Sequence, residues 1–340
     1  MKQLYKEILN SETKTYSNRN DNVLIIDGMN TFIRTWSTNR AMNEDGEHVG
    51  GVVGALNSIA SQIRDFNATR AIVIFDGKGG SDARKRIYEG YKAGREKNRF
   101  RVNRQYAEMM TEEEERQAMK RQFIWLNDIL DHLPITTMIY DGVEADDVIA
   151  FLAKELCNEE VVIVSTDRDF LQLVSDDIHI YSPTKKITYN RQRVYNEFGI
   201  WPENILLYRI LDGDTGDNIP GIKGCGLKTL LKRFPEIGED RKISVDEFLE
   251  LSETKRGQIK LYDTIVENRD QLLMNKRLME LDIHHIPNHQ KLLITNRFNE
   301  PDSQLSKLKF MKVATKYKIL DSWMNLMQWL NSSFGNIIVK

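Results

Sequence analysis

Two acidic stretches, roughly twenty residues apart, hold the side chains best suited to chemistry. Together they place five carboxylates within 26 residues, each set directly beside an apolar run: Glu144, Asp146, Asp147, Asp167 and Asp169. Like charges crowded in this way raise one another's pKa and destabilise a fold unless a cation neutralises them. The set therefore predicts a site for hard cations with oxygen ligands, of the magnesium or manganese kind.

The elements that must position these acids are short and apolar. Val161–Val164 is a β-branched run, which predicts a strand that is buried on both faces and ends just before Asp167. Val148–Ala153 continues the first acidic stretch with helical character, so its acids are expected in the first turn of a helix. The helix dipole favours acids in the first turn. The dipole explains the presence of one acid there, but not the presence of the whole set of five.

Two earlier strands repeat the pattern of apolar run, terminal acid and glycine turn. Val23–Ile26 ends on Asp27, and Ala71–Phe75 ends on Asp76. One such acid is often only a helix cap or a turn residue. Three strands that all end in aspartate predict convergence on one site, because open α/β sheets bind ligands beyond the carboxyl ends of their strands.

A third acidic segment lies between residues 211 and 229. Asp214 and Asp217, three residues apart, can face the same cation. Glycines then allow close backbone approach and expose amides and carbonyls before a helix, a geometry suited to a phosphate. The glycines and the cations around them are Gly221, Gly224 and Gly226, then Lys223, Lys228, Lys232 and Arg233.

A strongly basic segment balances these acids, although the net charge of the chain is only −2. From Lys78 to Arg104, ten lysines and arginines stand against three acids. Arg84, Tyr88, Tyr91 and Arg95 are spaced to share one helical face, with Lys92 adjacent. One interpretation of this segment is a solvated basic helix with two packed tyrosines. The other is a substrate-binding surface, in which the basic side chains bind phosphates and a tyrosine ring stacks on a base. A basic wall beside a metal-loaded pocket suits a phosphodiester substrate.

Residues 93–121 are expected to be a mobile, charged excursion that bridges the mouth of the site. An amphipathic helix is predicted to resume at Phe123 and to run to about Leu133. Near the chain ends, residues 1–22 predict a short packed helix or a tail that docks a partner. A stripe of bulky apolar residues recurs at helical spacing in the last fifty residues, and it predicts either a core-facing helix or a docking face. The bulky stripe consists of Leu320, Trp323, Met324, Met327 and Leu330.

Composition indicates a globular protein of one large domain or two ordinary ones, with 340 residues of which 41% are apolar and 29% charged. No apolar run could span a membrane, and the beginning lacks the pattern of a secretory signal. Cys157 and Cys225 lie far apart and are expected to be reduced, in a cytoplasmic protein or, for a viral one, in the host cytoplasm.

Taken together, these motifs resemble the 5′-nuclease (flap endonuclease) family, most closely its stand-alone phage 5′-3′ exonucleases, also called phage ribonuclease H. The same module occurs at the amino end of bacterial DNA polymerase I. The matching pieces are Ile26–Gly28, Phe75–Gly77, Arg84 to Arg95, Glu144–Asp147, Ser165–Asp169 and Gly213 to Gly226. These pieces occur in the same order as in the family and span residues 23 to about 235. The remainder of the chain matches the family only in general helical character.

The resemblance implies an α/β fold with a mostly parallel sheet (a PIN-like nuclease core), a helical arch and a helix–three-turn–helix motif. It divides the chain into an extension (1–22), a nuclease core (23–189) with its arch at about 93–121, a helical duplex-binding region (190–290) with the motif at about 205–234, and C-terminal helices (291–340).

The resemblance also implies roles for individual residues. One Mg²⁺, for which Mn²⁺ could substitute, would be held around Asp27, Asp76, Glu144 and Asp146. A second would lie near Asp167, Asp169, Asp214 and Asp217, with Asp147 either between the two ions or behind their direct ligands. Lys92 and Arg95 would neutralise the scissile phosphate, and the residues implied in catalysis are these two with Asp146 and Asp169. The residues implied to contact DNA are Arg34, Arg84, Tyr91, Lys92, Arg95, Gly221, Lys223, Gly224, Gly226 and Lys228, with a K⁺ ion held at the helix–three-turn–helix.

The expected function is hydrolysis of phosphodiesters at a 5′ end or flap of branched or nicked duplex DNA or RNA/DNA, with removal of RNA primers in replication. A sliding clamp or a single-strand-binding protein are candidate partners of an expected monomer. One alternative is a catalytically silent, structure-specific DNA-binding protein on the same scaffold. Another is a phosphatase or nucleotide-binding α/β enzyme, but the first strand is followed by neither a phosphate loop nor a dinucleotide fingerprint.

Overall fold

A six-stranded sheet forms the centre of this computed structural model, which describes residues 18–94 and 111–339. The strands are β1 (Asn22–Asp27), β2 (Arg70–Asp76), β3 (Thr136–Tyr140), β4 (Glu160–Val164), β5 (Ile178–Ser182) and β6 (Ile187–Tyr189). Their spatial order is β3-β2-β1-β4-β5-β6. All neighbours are parallel except β5 and β6, which form an antiparallel hairpin. The predicted mostly parallel α/β fold is therefore confirmed.

Helices cover both faces of the sheet. Those before β4 are α1 (Gly28–Thr38), α2 (Gly50–Asp65), α3 (Asp82–Ile87), α4 (Glu112–Leu130) and α5 (Ala145–Phe151), the last extended by a π-helical segment, Leu152–Leu156. After the hairpin come α6 (Arg191–Phe198), α7 (Pro202–Asp212), α8 (Leu227–Arg233), α9 (Val245–Thr254), α10 (Lys260–Glu267) and α11 (Arg269–Met279). The chain continues with α12 (Asn288–Asn299), α13 (Lys307–Lys316) and α14 (Leu326–Phe334), and short 3₁₀ helices occupy Asp169–Leu173, Pro235–Gly238, Ile283–His285 and Leu320–Ser322.

The strand side chains alternate between two separate cores. Val23 and Ile25 of β1 point into a core shared with α5, α7 and the helices up to α12. Leu24 and Ile26 point the other way, into a core shared with α1, α2, α4, α13 and α14. This burial of both faces is what the β-branched runs predict. None of the helices in the described ranges has the length and apolar content needed to cross a bilayer.

The C-terminal segment is anchored to the sheet by a buried ion pair. Arg70, at the start of β2, is fully buried and lies 3.5 Å from the carboxylate of Asp302. The Arg70 guanidinium also donates to the carbonyl of Phe298 at 2.7 Å. Of the predicted bulky stripe, Trp323 and Leu330 are buried whereas Met324 is fully exposed. The core-facing interpretation is therefore right for only part of the stripe.

Two helix predictions are wrong. The basic segment is not one long helix, because α3 ends at Ile87 and the chain then turns, with Lys92 at φ 56°. The N–H of Lys92 donates to the carbonyl of Asp217 at 2.8 Å, an interaction that a continuing helix would not permit. The amphipathic helix begins at Glu112 rather than Phe123, since Thr111 and Glu114 form a capping box ahead of it. Most of the predicted arch (residues 95–110), and with it Arg95, lies outside the described residues.

Candidate functional site

The predicted acids lie where the sheet changes winding direction, at the carboxyl ends of β1 and β4. One carboxylate oxygen of Asp27 caps α1 by accepting from the N–H of Asn30 at 2.9 Å. The other accepts from the hydroxyl of Ser165 at 2.9 Å. Ser165 Oγ in turn accepts from the N–H of Asp167 at 3.1 Å. A serine that was not singled out in the sequence thus joins two of the predicted strand-end acids.

A second link brings in the first acidic stretch. Asp76, at the end of β2, accepts from the N–H of Ala145 at 2.9 Å, which fixes the first turn of α5 against the sheet edge. Asp146 follows directly in that turn and is half-buried. The acids at the ends of β1, β2 and β4 and at the start of α5 therefore lie at one place.

Electrostatics show how closely these carboxylates are packed. Burial, together with the charges of Asp76 and Asp167, raises the pKa of Asp27 to about 7. Burial also raises the pKa of Asp146 well above its usual range, with Asp167 and Asp27 as the largest repelling charges. These four aspartates form one cluster, as the sequence predicts.

The cluster continues into the third acidic segment through Asp167 and Asp169. Burial raises the pKa of Asp169 to about 7, and Asp167 and Asp214 add to the rise. Between the carboxylates of Asp169 and Asp214 stands Arg209 of α7, which donates to the first at 2.7 Å and to the second at 2.5 Å. Sequence reasoning missed Arg209, although a cation in the helix that leads into an acidic turn is a usable signal.

Arg84 does not face the substrate side of the site. Its side chain is buried, and its guanidinium donates to Glu144 at 2.6 Å and to both oxygens of Asp147 at 2.6 and 2.8 Å. The Nε–H donates to the carbonyl of Leu278 at 2.8 Å. This geometry corrects the prediction for Arg84, which positions acids instead of contacting DNA. For Asp147, which is bound to that guanidinium, it favours the predicted place behind the direct metal ligands over the one between the two ions.

Tyr91 and Lys92 converge on Glu144. The ammonium of Lys92 lies 2.5 Å from one carboxylate oxygen, and the Tyr91 hydroxyl donates to the other at 3.2 Å. Burial alone would raise the pKa of Glu144, but Lys92 and Arg84 lower it. The Tyr91 ring is only 4% exposed and packs with Ile219. The prediction that this ring stacks on a base is therefore wrong for this arrangement.

The donor set fits hard cations. All the clustered side chains offer oxygen, and burial beside other carboxylates raises the pKa values of Asp27, Asp146 and Asp169. Among the described residues, no three acids, histidines or cysteines are placed to ligate one ion together. Mg²⁺ does not require a set of ligands supplied by the protein alone, because it keeps several waters and binds through one or two carboxylates plus substrate phosphates.

The segment between α7 and α8 is the place where the helix–three-turn–helix is predicted, and a helix lies on each side of it. Gly213 and Gly224 have φ of 76° and 93°, which glycine adopts without strain. The predicted DNA contacts in this segment are all exposed: Gly221, Lys223, Gly224, Gly226 and Lys228. Arg34 of α1 is half-buried and donates to Ser58 at 2.9 Å. Asp217 is buried and lies on the Lys92 side of the cluster.

Gly221→Ala is expected to lower the free energy of unfolding by about 1–3 kcal/mol, the usual cost of overpacking. An added Cβ at Gly221 would meet the carbonyl oxygen of Asp212 at 2.0 Å, so the backbone must shift. Urea unfolding measures the effect. Gly226→Ala is the matched control because its Cβ would meet nothing within 4 Å, and its change should stay within about 0.5 kcal/mol. Equal losses in both variants would show that crowding is not the cause.

Comparison with known proteins agrees with the fold. The chain belongs to the 5′-3′ exonuclease family, since the model of the family's N-terminal resolvase-like domain matches residues 22–199. A 5′-3′ exonuclease of Buchnera aphidicola is 31% identical over 222 residues, which are 63% of this chain and 71% of that protein. The thermostable DNA polymerase I of Thermus thermophilus is 34% identical over 219 residues, 64% of this chain. The chain spans about a quarter of that polymerase's length, 24%.

Solved structures give the same result. The 5′-exonuclease of bacteriophage T5 with bound zinc superposes with a TM-score of 0.64 and 25% identity, covering 81% of this chain and 97% of that one. A T5 flap endonuclease complex with DNA and metal ions shares the fold, with a TM-score of 0.63 and 23% identity over 86% of this chain and 99% of that one. The predicted family and its nuclease fold are confirmed.

Proposed function

We propose that this protein is a structure-specific 5′-nuclease that hydrolyses phosphodiesters at 5′ ends and flaps of duplex nucleic acid with two divalent metal ions, Mg²⁺ in the first place. The observation that carries the proposal is the aspartate cluster at the carboxyl ends of β1, β2 and β4. Burial, together with the charges of neighbouring aspartates, raises the pKa values of Asp27 and Asp169 to about 7. A fold keeps such repulsion where function requires it.

Each half of the cluster would hold one ion. Asp27, Asp76 and Asp146, with Glu144 behind them, would bind the first, and Asp167, Asp169 and Asp214 the second. Bound divalent cations would neutralise the phosphate and activate the attacking water. The metal-bearing structures of the T5 5′-exonuclease support this assignment of the cofactor class.

The cations of the protein would orient the phosphate and add charge. Burial alone would lower the pKa of Lys92, but Glu144, Asp146 and Asp217 raise it, so the ammonium stays charged. In the presence of substrate, the ammonium of Lys92, which is more exposed than the Glu144 carboxylate that it binds, would turn to a phosphate oxygen. Arg84 holds the carboxylates of Glu144 and Asp147 in place, since it is buried between them.

The exposed turns between α7 and α8 would hold the duplex. Lys223 and Lys228 supply positive charge there, and the glycines between them bring the backbone N–H groups close to a phosphate. Removal of RNA primers and 5′ flaps during replication is the proposed task. Cleavage mapping on matched flap, nicked and RNA-primed duplexes tests it. Products that start from internal sites on all three, irrespective of the 5′ end, would contradict the proposal.

Mg²⁺ is expected to stabilise the protein by about 3–8 °C near pH 8 and by less than about 2 °C near pH 5.5. Asp27 and Asp169 have ordinary pKa values of 3.8 when unfolded and about 7 when folded and metal-free. Their contribution to stability therefore falls as pH rises from about 4 to 7, because the folded state binds more protons there. Above about pH 7, where Asp27 and Asp169 lose these protons, bound metal takes the place of the protons.

Thermal unfolding in MgCl₂, against KCl of the same ionic strength, measures this difference. Potassium chloride controls for general screening of charge. An Mg²⁺ effect of the same size at both pH values would contradict the assignment of the raised pKa values to the metal site.

A further inference from the structure

A cavity of about 230 Å³ lies beside the acid cluster, between the loop after β4, the β5–β6 hairpin and the end of α6. We call it the hairpin cavity. Its lining includes Asp167 of the cluster and, on the outer side, Arg168, Ser182, Thr184, Lys185 and Phe198. The volume is just below the roughly 300–1,000 Å³ of sites for drug-sized ligands. The hairpin cavity therefore has room for one monomer unit of a polymeric ligand and not for a longer segment.

Positive charge in the cavity is available mainly from Arg168. This side chain is exposed and makes no ion pair or hydrogen bond within the part of the chain that the structure describes. The ammonium of Lys185, in contrast, is held at 2.8 Å by both the Tyr189 hydroxyl and Glu197. An arginine without a partner beside a polar cavity is suited to an anion, and its planar fork matches a phosphate.

The other walls offer hydroxyls and a ring. Ser182 and Thr184 place their hydroxyl groups 3.4 Å apart on the hairpin. Phe198, at the end of α6, is half-buried and lines the opposite side. A smaller cavity continues past Arg168 towards Arg209, which binds Asp169 and Asp214. Arg168 thus lines both the hairpin cavity and the smaller cavity that reaches Arg209.

We propose that the hairpin cavity binds one nucleotide unit, with its phosphate on Arg168 and its sugar or base between Phe198 and the hairpin hydroxyls. This rests on the proposed function, because a strand whose phosphate reaches the acid cluster must continue past Asp167. The ligand class is a nucleoside 5′-phosphate. It has two sources, a unit of the substrate strand next to the cleaved bond or a free mononucleotide.

The test measures binding to the full chain without divalent ions, using a short 5′-phosphorylated oligothymidylate and thymidine 5′-monophosphate as probes. Arg168→Ala is expected to weaken oligonucleotide binding about 3–10-fold and to reduce the slope of log affinity against log KCl concentration by about 0.7, one phosphate contact on a single strand. Thr184→Trp, at an exposed hairpin position, should weaken binding by filling the mouth without changing charge.

Arg193→Ala is the matched control, because it removes one exposed positive charge from α6 without touching the cavity. Losses with both probes support a site for any nucleotide, whereas losses with the oligonucleotide alone support a site for the strand. Wild-type affinity and salt slope in both Arg168→Ala and Thr184→Trp would overturn the proposal. The readout needs no cleavage, so a wild-type protein that fails to cut flaps would reject the proposed function and leave this result standing.

Discussion

Replacing Asp146 with asparagine is expected to slow cleavage of a 5′-flap duplex in Mg²⁺ by at least about a thousandfold, while the variant still binds the duplex. The substitution keeps the size of the side chain and removes one charge from the centre of the cluster, where Asp146 interacts with both Asp27 and Asp167. The folded state should not lose stability without metal, because the lost charge was repelled by its neighbours.

Single-turnover cleavage and binding in Ca²⁺ measure the two effects separately. Asp270→Asn is the matched control, since Asp270 is exposed on α11, far along the chain from every clustered acid. It should cleave like the wild type. If Asp146→Asn retained more than about a tenth of wild-type cleavage, the aspartate cluster would not be the catalytic centre, and the proposed function would have to be abandoned.

Lys92→Ala is expected to reduce the single-turnover rate about a hundredfold and to weaken duplex binding less than about threefold. Lys92 is one of few cations close to the carboxylate cluster, and its ammonium lies 2.5 Å from Glu144. Its charge would act on the phosphate mainly as negative charge develops there. The left-handed backbone at φ 56° strains alanine no more than lysine, so the substitution tests the side chain alone.

Lys85→Ala removes an exposed charge from α3 in the same basic segment and serves as the control. It should change binding slightly and the cleavage rate hardly at all. Equal losses of rate and binding in Lys92→Ala would instead mean that Lys92 only holds the substrate, as a general phosphate contact does.

The convergence of the acids could be predicted because it follows from local sequence and one topological rule. Asp27, Asp76 and Asp167 each end a short β-branched or apolar run, and parallel strands bring their carboxyl ends to one edge. The β5–β6 hairpin and the glycine-rich turns after α7 were predictable for the same reason, since their signals are contained within a few residues.

The partners of the basic side chains could not be predicted, because they depend on contacts distant in sequence. Arg84 binds Glu144 and Asp147, 60 and 63 residues away, and the carbonyl of Leu278, 194 residues away. Its spacing with Tyr91 matched a helix, but the backbone turns between them. The capping box at Thr111, in contrast, could have been recognised from the sequence alone. It was missed because the segment around it is so strongly charged.

The packing of α14 against α2 has a consequence for how the protein is made. Leu330 and Phe334, which share the buried cluster of α2, follow that helix much later in the chain. During translation the outer side of α2 therefore emerges from the ribosome long before its cover does. Nascent chains should expose this apolar surface to holding chaperones until α14 has been synthesised, and native packing should be reached only afterwards.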